Sequence, residues 1–252
     1  IARKINRFIK AKNINIVHVR SRGPAWMINL MSKNNINTIA TFHNVYGGSS
    51  YLKKMYNKGL SKMDHLVAIS DYVKETIIKK YNLPPHNISV INRGIDTEYF
   101  NQTLNTGIKD NIIKTHQVDT AKKIILFPAR MTSWKGQLEF INVLKKMDTQ
   151  NILVLFAGDT KNKSYTKLVR DKIEQNNLEG VCKILGSVNQ DEMRSLYQVA
   201  DLSVSFPLRA EGFGRTISEA LYSKTPVLAF DYGGVKNQLA NLSDMFKVKP
   251  QD

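Results

Sequence analysis

The chain has 252 residues, 37 Lys and Arg against 21 Asp and Glu (net +16), one cysteine and 42% apolar residues, which fits one or two globular domains. The lone thiol, Cys182, excludes an internal disulfide framework or a cysteine zinc cluster and suits a reducing cytosol. No apolar run approaches the ~20 residues that span a bilayer, and the opening IARKINRFIKAK interleaves charge with apolar residues where a secretory signal needs an apolar block.

Along the chain, apolar periodicity switches between short solid runs and a 3.6-residue repeat, the pattern of strands alternating with helices. Strands are expected at 14–19, 38–42, 65–70 and 88–92, with helices over 24–34, 51–62 and 71–81 between them. A polar stretch near 93–120, with two glycines and no strand, reads as a joint. Beyond it the scheme repeats. Strands are expected at 123–129, 152–158, 182–187, 201–206 and 226–231, and helices near 135–147, 163–177, 190–199 and 214–223. Asn189 with Glu192 is a capping box for the helix at 190, whose stripe is Met193, Leu196, Tyr197 and Ala200. Solid Val, Ile and Leu strands joined by helices predict parallel sheets covered on both faces, in two α/β domains: 1–100 and 101–252.

The charge is uneven. Residues 1–100 hold 16 basic and 5 acidic side chains (net +11), and residues 101–252 hold 21 and 16 (net +5). Such asymmetry predicts an anionic partner on the first side, a phosphate-rich ligand, a membrane surface or nucleic acid, unless the lysines are solvated surface. Segment 51–63 sets Leu52, Met55, Tyr56, Leu60 and Met63 near helical spacing among Lys53, Lys54, Lys58 and Lys62. It reads either as a basic amphipathic helix for anionic lipid or as a core helix with solvated lysines.

Open parallel sheets bind ligands at the carboxyl ends of their strands. Arg20 and Arg22, His43, Arg130 with Lys135, Asp159 and the segment LRAEGFGRT all follow strands, and in two facing domains they would converge on a cleft. The most specific segment is Glu211-Gly-Phe-Gly-Arg-Thr-Ile-Ser-Glu219. Glycines ahead of a helix let the backbone approach a ligand, and first-turn amides favour an anion such as a diphosphate. Glu211 stands before that helix and Glu219 about two turns along it; on the plainer reading the first is a favourable charge at a helix start and the second a solvated residue. Arg130 and Lys135 place two cations at a strand end, where a leaving diphosphate would be neutralised.

In this order and spacing, SRGPAW (21–26), TFHNVYGG (41–48), HLVAIS (65–70), INRGID (91–96), R-x4-KG (130–136), FAGD (156–159), LGSV (185–188), E-x7-E (211–219) and PVLAFDYGG (226–234) resemble the retaining glycosyltransferases of family 4. The resemblance implies the GT-B fold, two Rossmann-like domains with parallel sheets facing across a cleft. It implies a hexosyltransferase-type enzyme that uses a nucleotide diphosphate-sugar as substrate, held mainly by the second domain, with the acceptor held mainly by the first. By that resemblance Arg130 and Lys135 match the diphosphate-binding cations, and Gly212, Phe213 and Gly214 the phosphate-facing loop, with Arg215 beside it. Glu211 matches the carboxylate beside the donor sugar, Glu219 the ribose ligand, and His43 the first-domain histidine near the reacting sugar. Gly186, Ser187 and Val188 fall where the base is lined.

No D-x-D or His/Cys/carboxylate cluster stands in the sequence, so neither a catalytic metal nor a cofactor is expected. The family's setting implies a glycan or lipid-linked acceptor, cytoplasmic placement with peripheral attachment to the inner face of the membrane, and a role in lipopolysaccharide or surface polysaccharide synthesis. Family members begin with a strand and a Gly-rich turn and end in further helices. Ile1 and the terminal FKVKPQD predict a chain cut at both ends. The rival readings are an inactive nucleotide-sugar-binding fragment and a basic nucleic-acid-binding protein; no nucleic-acid motif supports the latter. A dehydrogenase is disfavoured because no G-x-G-x-x-G follows a strand.

Overall fold

The computed structural model describes residues 1–31, 36–48, 50–103 and 106–250. The chain forms two compact units, Ile1–Arg93 with Glu211–Phe213, and Gly94–Ala210 with Gly214–Asp252.

In the first unit four parallel strands, β1 (Ile16–Val19), β2 (Asn37–Phe42), β3 (His65–Ala68) and β4 (Ile88–Val90), lie side by side in sequence order. Val19 stands opposite Ala40, and Phe42 and Val90 both stand opposite Ala68. The residues that follow each strand therefore share one edge. Helices α1 (Ala2–Ala11), α2 (Arg22–Asn29), α3 (Tyr51–Asn57) and α4 (Asp71–Tyr81) flank these strands in the sequence. α4 matches its expected span because both ends are marked: the Ser70 hydroxyl accepts from the Val73 amide, and Asn82 closes the helix in the left-handed conformation. α2 begins before its expected start, since Pro24 is harmless in a first turn that lacks intrahelical partners; residues 32–34 of that expected helix lie outside the described residues.

One element has no expectation behind it and one expectation is corrected. The opening segment is a helix, because Ala2, Ile5 and Ile9 recur at helical spacing and pack on the first core, leaving Arg3, Lys4, Arg7, Phe8 and Lys10 exposed. The helix expected over 51–62 ends at Asn57, followed by a separate 3-10 turn at Leu60–Lys62. Gly59 faces the Trp26 indole, which a Cβ would approach to 2.7 Å. The break splits the apolar stripe. Leu60 and Met63 enter the core, while Leu52, Met55 and Tyr56 remain exposed.

Among the described residues the second unit holds six parallel strands: β5 (Lys123–Pro128), β6 (Ile152–Ala157), β7 (Cys182–Gly186), β8 (Leu202–Ser205), β9 (Val227–Phe230) and β10 (Lys247–Val248). Their order is β10-β9-β8-β5-β6-β7. The stretch read as a polar joint contains α5 (Thr97–Asn101) and α6 (Thr106–Thr115), and Phe100 of α5 is buried against Tyr197. The remaining helices are α7 (Gln137–Leu144), α8 (Lys163–Glu174), α9 (Gln190–Val199), α10 (Arg215–Tyr222) and the short α11 (Lys236–Leu239).

Helices cover both faces of this sheet. Leu126, Leu155, Leu196 and Ile217 form one core with α9 and α10, and Phe127, Phe156, Ile141 and Val169 form the other with α7 and α8. Burial on both sides is why β6 reads as a solid apolar run instead of alternating. Along β8 and β9, beside α7, an apolar groove lined by Leu202, Val204, Leu228 and Phe230 remains open. Cys182 opens the edge strand β7; it is buried, and burial pushes its thiol up to about 12.

The chain steps from β5 outward through β6 to β7, then returns to lay β8 against the other side of β5. That reversal makes the crevice beyond the carboxyl ends of β5 and β8 the switch point, where open α/β sheets take ligands.

Candidate active site

The loop after β5 carries Arg130, exposed, and Lys135, half-buried. Its form is set by Gly136, which has φ 86° and opens α7. A Cβ there would lie 2.1 Å from the Phe206 carbonyl oxygen at the end of β8, so no side chain fits. The Leu208 amide donates to the Trp134 carbonyl at 2.8 Å, tying the loops after β5 and β8 together. Gln137, fully buried, donates to the Arg130 carbonyl at 3.0 Å and accepts from the Tyr165 hydroxyl at 3.2 Å. Its amide thus holds the cationic loop to α8. The Lys135 ammonium lies 4.4 Å from the centre of the Trp134 indole.

The loop after β8 leads to α10, whose start repeats that of α7. Gly214, φ 85°, opens the helix with no side-chain cap. A Cβ would come within 2.8 Å of Val235 Cγ2. Gln238 of α11 donates to the Gly214 carbonyl at 3.2 Å and accepts from the Ser218 hydroxyl, fixing that first turn. Two helix starts with positive ends and uncapped amides therefore stand at the switch point with Arg130, Lys135 and Arg215.

Glu219 is buried, which removes the reading of a solvated helix residue. Its Oε1 accepts from the Arg215 guanidinium at 2.7 Å and its Oε2 from the Tyr197 hydroxyl at 3.1 Å. Burial, with the Glu219 charge next, holds the Tyr197 pKa well above the usual phenol value, so Tyr197 stays a proton donor. Each carboxylate oxygen keeps acceptor capacity for one more donor. Gly186, φ 81°, ends β7 with its carbonyl already taken by the Gly158 amide at 2.8 Å. Val188 packs against the core under α9.

In the first unit, His43 follows β2 and Glu211–Phe213 packs beside it. The Ser70 hydroxyl that caps α4 also donates to the Gly212 carbonyl at 2.6 Å. A Cβ on Gly212 would come within 2.8 Å of the His43 carbonyl oxygen. Phe213 is buried in the first core, and Glu211 is half-buried. Burial lowers the His43 pKa from about 6.5, and the charges of Arg20, Arg93 and His18 lower it further, so the ring is neutral near pH 7.

The candidate residues thus gather in three places: Arg130 and Lys135 before α7, Gly214, Arg215 and Glu219 at α10, and His43 with Glu211, Gly212 and Phe213 in the first unit. Gly186 and Val188 stand apart, at the end of β7. Sequence reasoning missed Gln137, Tyr197's hydroxyl, Ser70 and Gln238. Gln137 leaves a trace, as a polar residue immediately after a loop glycine at the first position of a helix. Among the described residues no three His, Cys, Asp or Glu side chains gather to hold a metal, and no helix is long and apolar enough to cross a membrane. Among the described residues, Glu139 is the one charged side chain lining the groove beside α7, which does not suit an anionic ligand.

Two parallel α/β sheets, of four and six strands among the described residues, give the GT-B fold class. Residues 108–252 match the family model for group 1 glycosyl transferases, and residues 1–99 match that for glycosyltransferase family 4. The chain belongs to the group 1 glycosyltransferases. An uncharacterized glycosyltransferase of Methanocaldococcus jannaschii is 30% identical over 171 residues, 68% of this chain and 43% of that protein. The O-antigen chain mannosyltransferase RfbU of Salmonella typhimurium is 27% identical over 205 residues, 77% of this chain and 52% of the relative. Among solved structures, a glycosyltransferase of Rickettsia africae superposes with TM-score 0.87 at 33% identity, over all of this chain and 66% of the other. Anabaena HepE, solved with UDP and glucose, superposes with TM-score 0.86 at 19% identity, over all of this chain and 68% of the other. The chain therefore spans about half the length of these curated relatives.

Proposed function

We propose that this chain carries the donor site of a retaining, metal-independent glycosyltransferase that moves a hexose from a nucleotide diphosphate-sugar to a glycan or lipid-linked acceptor. The observation that carries the reading is the pair of uncapped, glycine-opened helix starts at the switch point, with Arg130, Lys135 and Arg215 beside them. A diphosphate leaving group gains charge as its bond to the anomeric carbon breaks, and fixed cations and amides stabilise that charge without reorganising. Glu219 then receives ribose hydroxyls through the capacity left on its carboxylate, and Glu211 stands by the sugar.

In the reaction the anomeric carbon loses its bond to the phosphate oxygen and gains one to the acceptor oxygen on the same face. The acceptor's proton passes to the departing phosphate. His43, neutral at pH 7, adds no charge beside an oxocarbenium-like sugar. RfbU's function supports an end product in lipopolysaccharide or another surface glycan, made on the cytoplasmic face of the membrane. Tyr51, Leu52, Met55 and Tyr56, exposed among lysines on α3, support attachment to anionic lipid.

The test is a thermal-shift panel of UDP-, GDP- and ADP-sugars on a full-length protein. Binding at a hundredfold excess over the dissociation constant adds about 2.7 kcal/mol of stability. Absence of a shift with every nucleotide removes the reading. Glu211→Gln sharpens it: transfer lost with donor affinity intact puts Glu211 in the chemical step, and unaltered turnover removes that role.

A further inference from the structure

We propose that the carboxyl edge of the first sheet binds a phosphate group of the acceptor between the guanidinium groups of Arg20 and Arg93, beside His43. This rests on the reading of the chain as a glycosyltransferase, and it names the acceptor's chemistry, which that reading leaves open.

The argument starts from strand order. Arg20 immediately follows β1, His43 immediately follows β2, and Arg93 lies three residues beyond β4, all on one edge of a parallel sheet. Neighbouring strands lie about 4.8 Å apart, so one arginine flanks the β2 position from one strand away and the other from two strands away on the opposite side. Both are exposed. Both charges reach the ring: after burial, Arg20 and Arg93 are the main causes of the lowered His43 pKa, and no carboxylate stands among those causes. The Nδ1 atom of His43 is buried with no hydrogen-bond partner among the described residues, so the state of the ring answers to what binds nearby.

Arg22 shows what a structural arginine looks like on the same unit. Its guanidinium donates to Asn57 Oδ1 at 2.7 Å and lies 4.2 Å from the centre of the Tyr46 ring and 5.3 Å from that of Tyr56. Among the described residues no such cage surrounds Arg20. Two guanidinium forks suit a tetrahedral dianion, which accepts paired hydrogen bonds from each. The donor's diphosphate has its own cations, Arg130 and Lys135, in the other unit. This edge therefore falls to the acceptor. A phosphate there comes either from a soluble sugar phosphate or from a lipid-linked carrier; the recognition chemistry is shared.

The test uses NMR of the histidine ring protons of the full-length protein, with the His43 signal assigned from a His43→Gln variant and inorganic phosphate as the probe. Phosphate is expected to shift the His43 signal and raise its titration midpoint. Arg20→Gln and Arg93→Gln should each weaken phosphate binding about tenfold, and the pair should abolish it. Arg7→Gln on α1, which removes the same charge elsewhere, should leave it unchanged, and saturating UDP should not displace it. An unmoved His43 signal, an equal loss in Arg7→Gln, or displacement by UDP would each overturn the proposal. Phosphate binding without any nucleotide-sugar binding would remove the transferase reading and leave the anion site standing. Nucleotide-sugar binding without a phosphate response would do the reverse. Glucose 1-phosphate and polyprenyl phosphate in neutral phosphatidylcholine vesicles then identify the source, by which one shifts His43 at the lower concentration. If neither shifts it, the acceptor assignment falls.

Discussion

Two pairs of helices in the second unit begin in opposite ways. α8 and α9 are closed by side chains: Asn162 accepts from the Tyr165 amide, and Asn189 accepts from the Glu192 amide while Glu192 reaches back to Asn189. α7 and α10 begin at left-handed glycines with no side chain on their first amides. A side-chain cap stabilises a helix by about 1 kcal/mol, so leaving two ends uncapped has a cost unless another partner meets those amides. Both uncapped ends lie beside β5 and β8, at the reversal of strand order. The comparison separates helix starts that serve folding from helix starts open to a ligand.

The harshest way to break that contrast is to fill the glycine. Gly136→Ala puts a carbon 2.1 Å from the Phe206 carbonyl oxygen at a left-handed backbone position. Backbone strain and overpacking together should cost about 3 kcal/mol or more, read as a lowered urea midpoint. Next comes charge. Arg130→Gln should leave the fold intact and lower kcat/KM for transfer roughly 100-fold, about 2.7 kcal/mol, in an assay on the full-length enzyme; a loss below threefold would separate Arg130 from the reaction.

Tyr197→Phe deprives buried Glu219 of one donor and should destabilise by about 1–3 kcal/mol. Weaker nucleotide binding without a stability change would instead mean that the hydroxyl serves the ligand. Asn189→Ala should cost about 1 kcal/mol with nucleotide affinity unchanged. If it weakens the nucleotide as much as Arg130→Gln does, the division between the two kinds of helix start fails. The smallest effect is in pH. His43 is neutral in the fold and takes up a proton near pH 6.5 when unfolded, so its contribution to stability is whole above about 6.5. That contribution fades as pH falls toward the lowered folded value. His43→Gln should flatten that part of the stability curve.

Much of this was legible in the residues. Asn189 before α9 marks a helix whose bounds match their expected span, because a cap and a periodic face agree there, and α4 is legible from its periodicity alone. α1 escaped because its exposed Arg and Lys outnumber the three apolar residues that dock it, and α5 and α6 because their polar faces dilute the signal from Phe100 and Ile112. The break after α3 depends on Gly59 meeting Trp26, a contact between distant residues that local periodicity cannot register. At the site, Arg130, Lys135, Glu211 and Glu219 stand out by spacing. Ser70's second bond, to Gly212, crosses 142 positions and has no local signature.

The chain's one thiol has a use that its inertness creates. Cys182 sits shielded at the start of an edge strand, with a thiol that is almost wholly protonated at neutral pH. An alkylating reagent can reach it only when that strand detaches. Its labelling rate is therefore a built-in clock for how often the β7 margin opens, in the native protein and with no engineered reporter. A nucleotide that slows the clock would reveal tightening along the whole of β7, from Gly186 at its carboxyl end back to the thiol at its start.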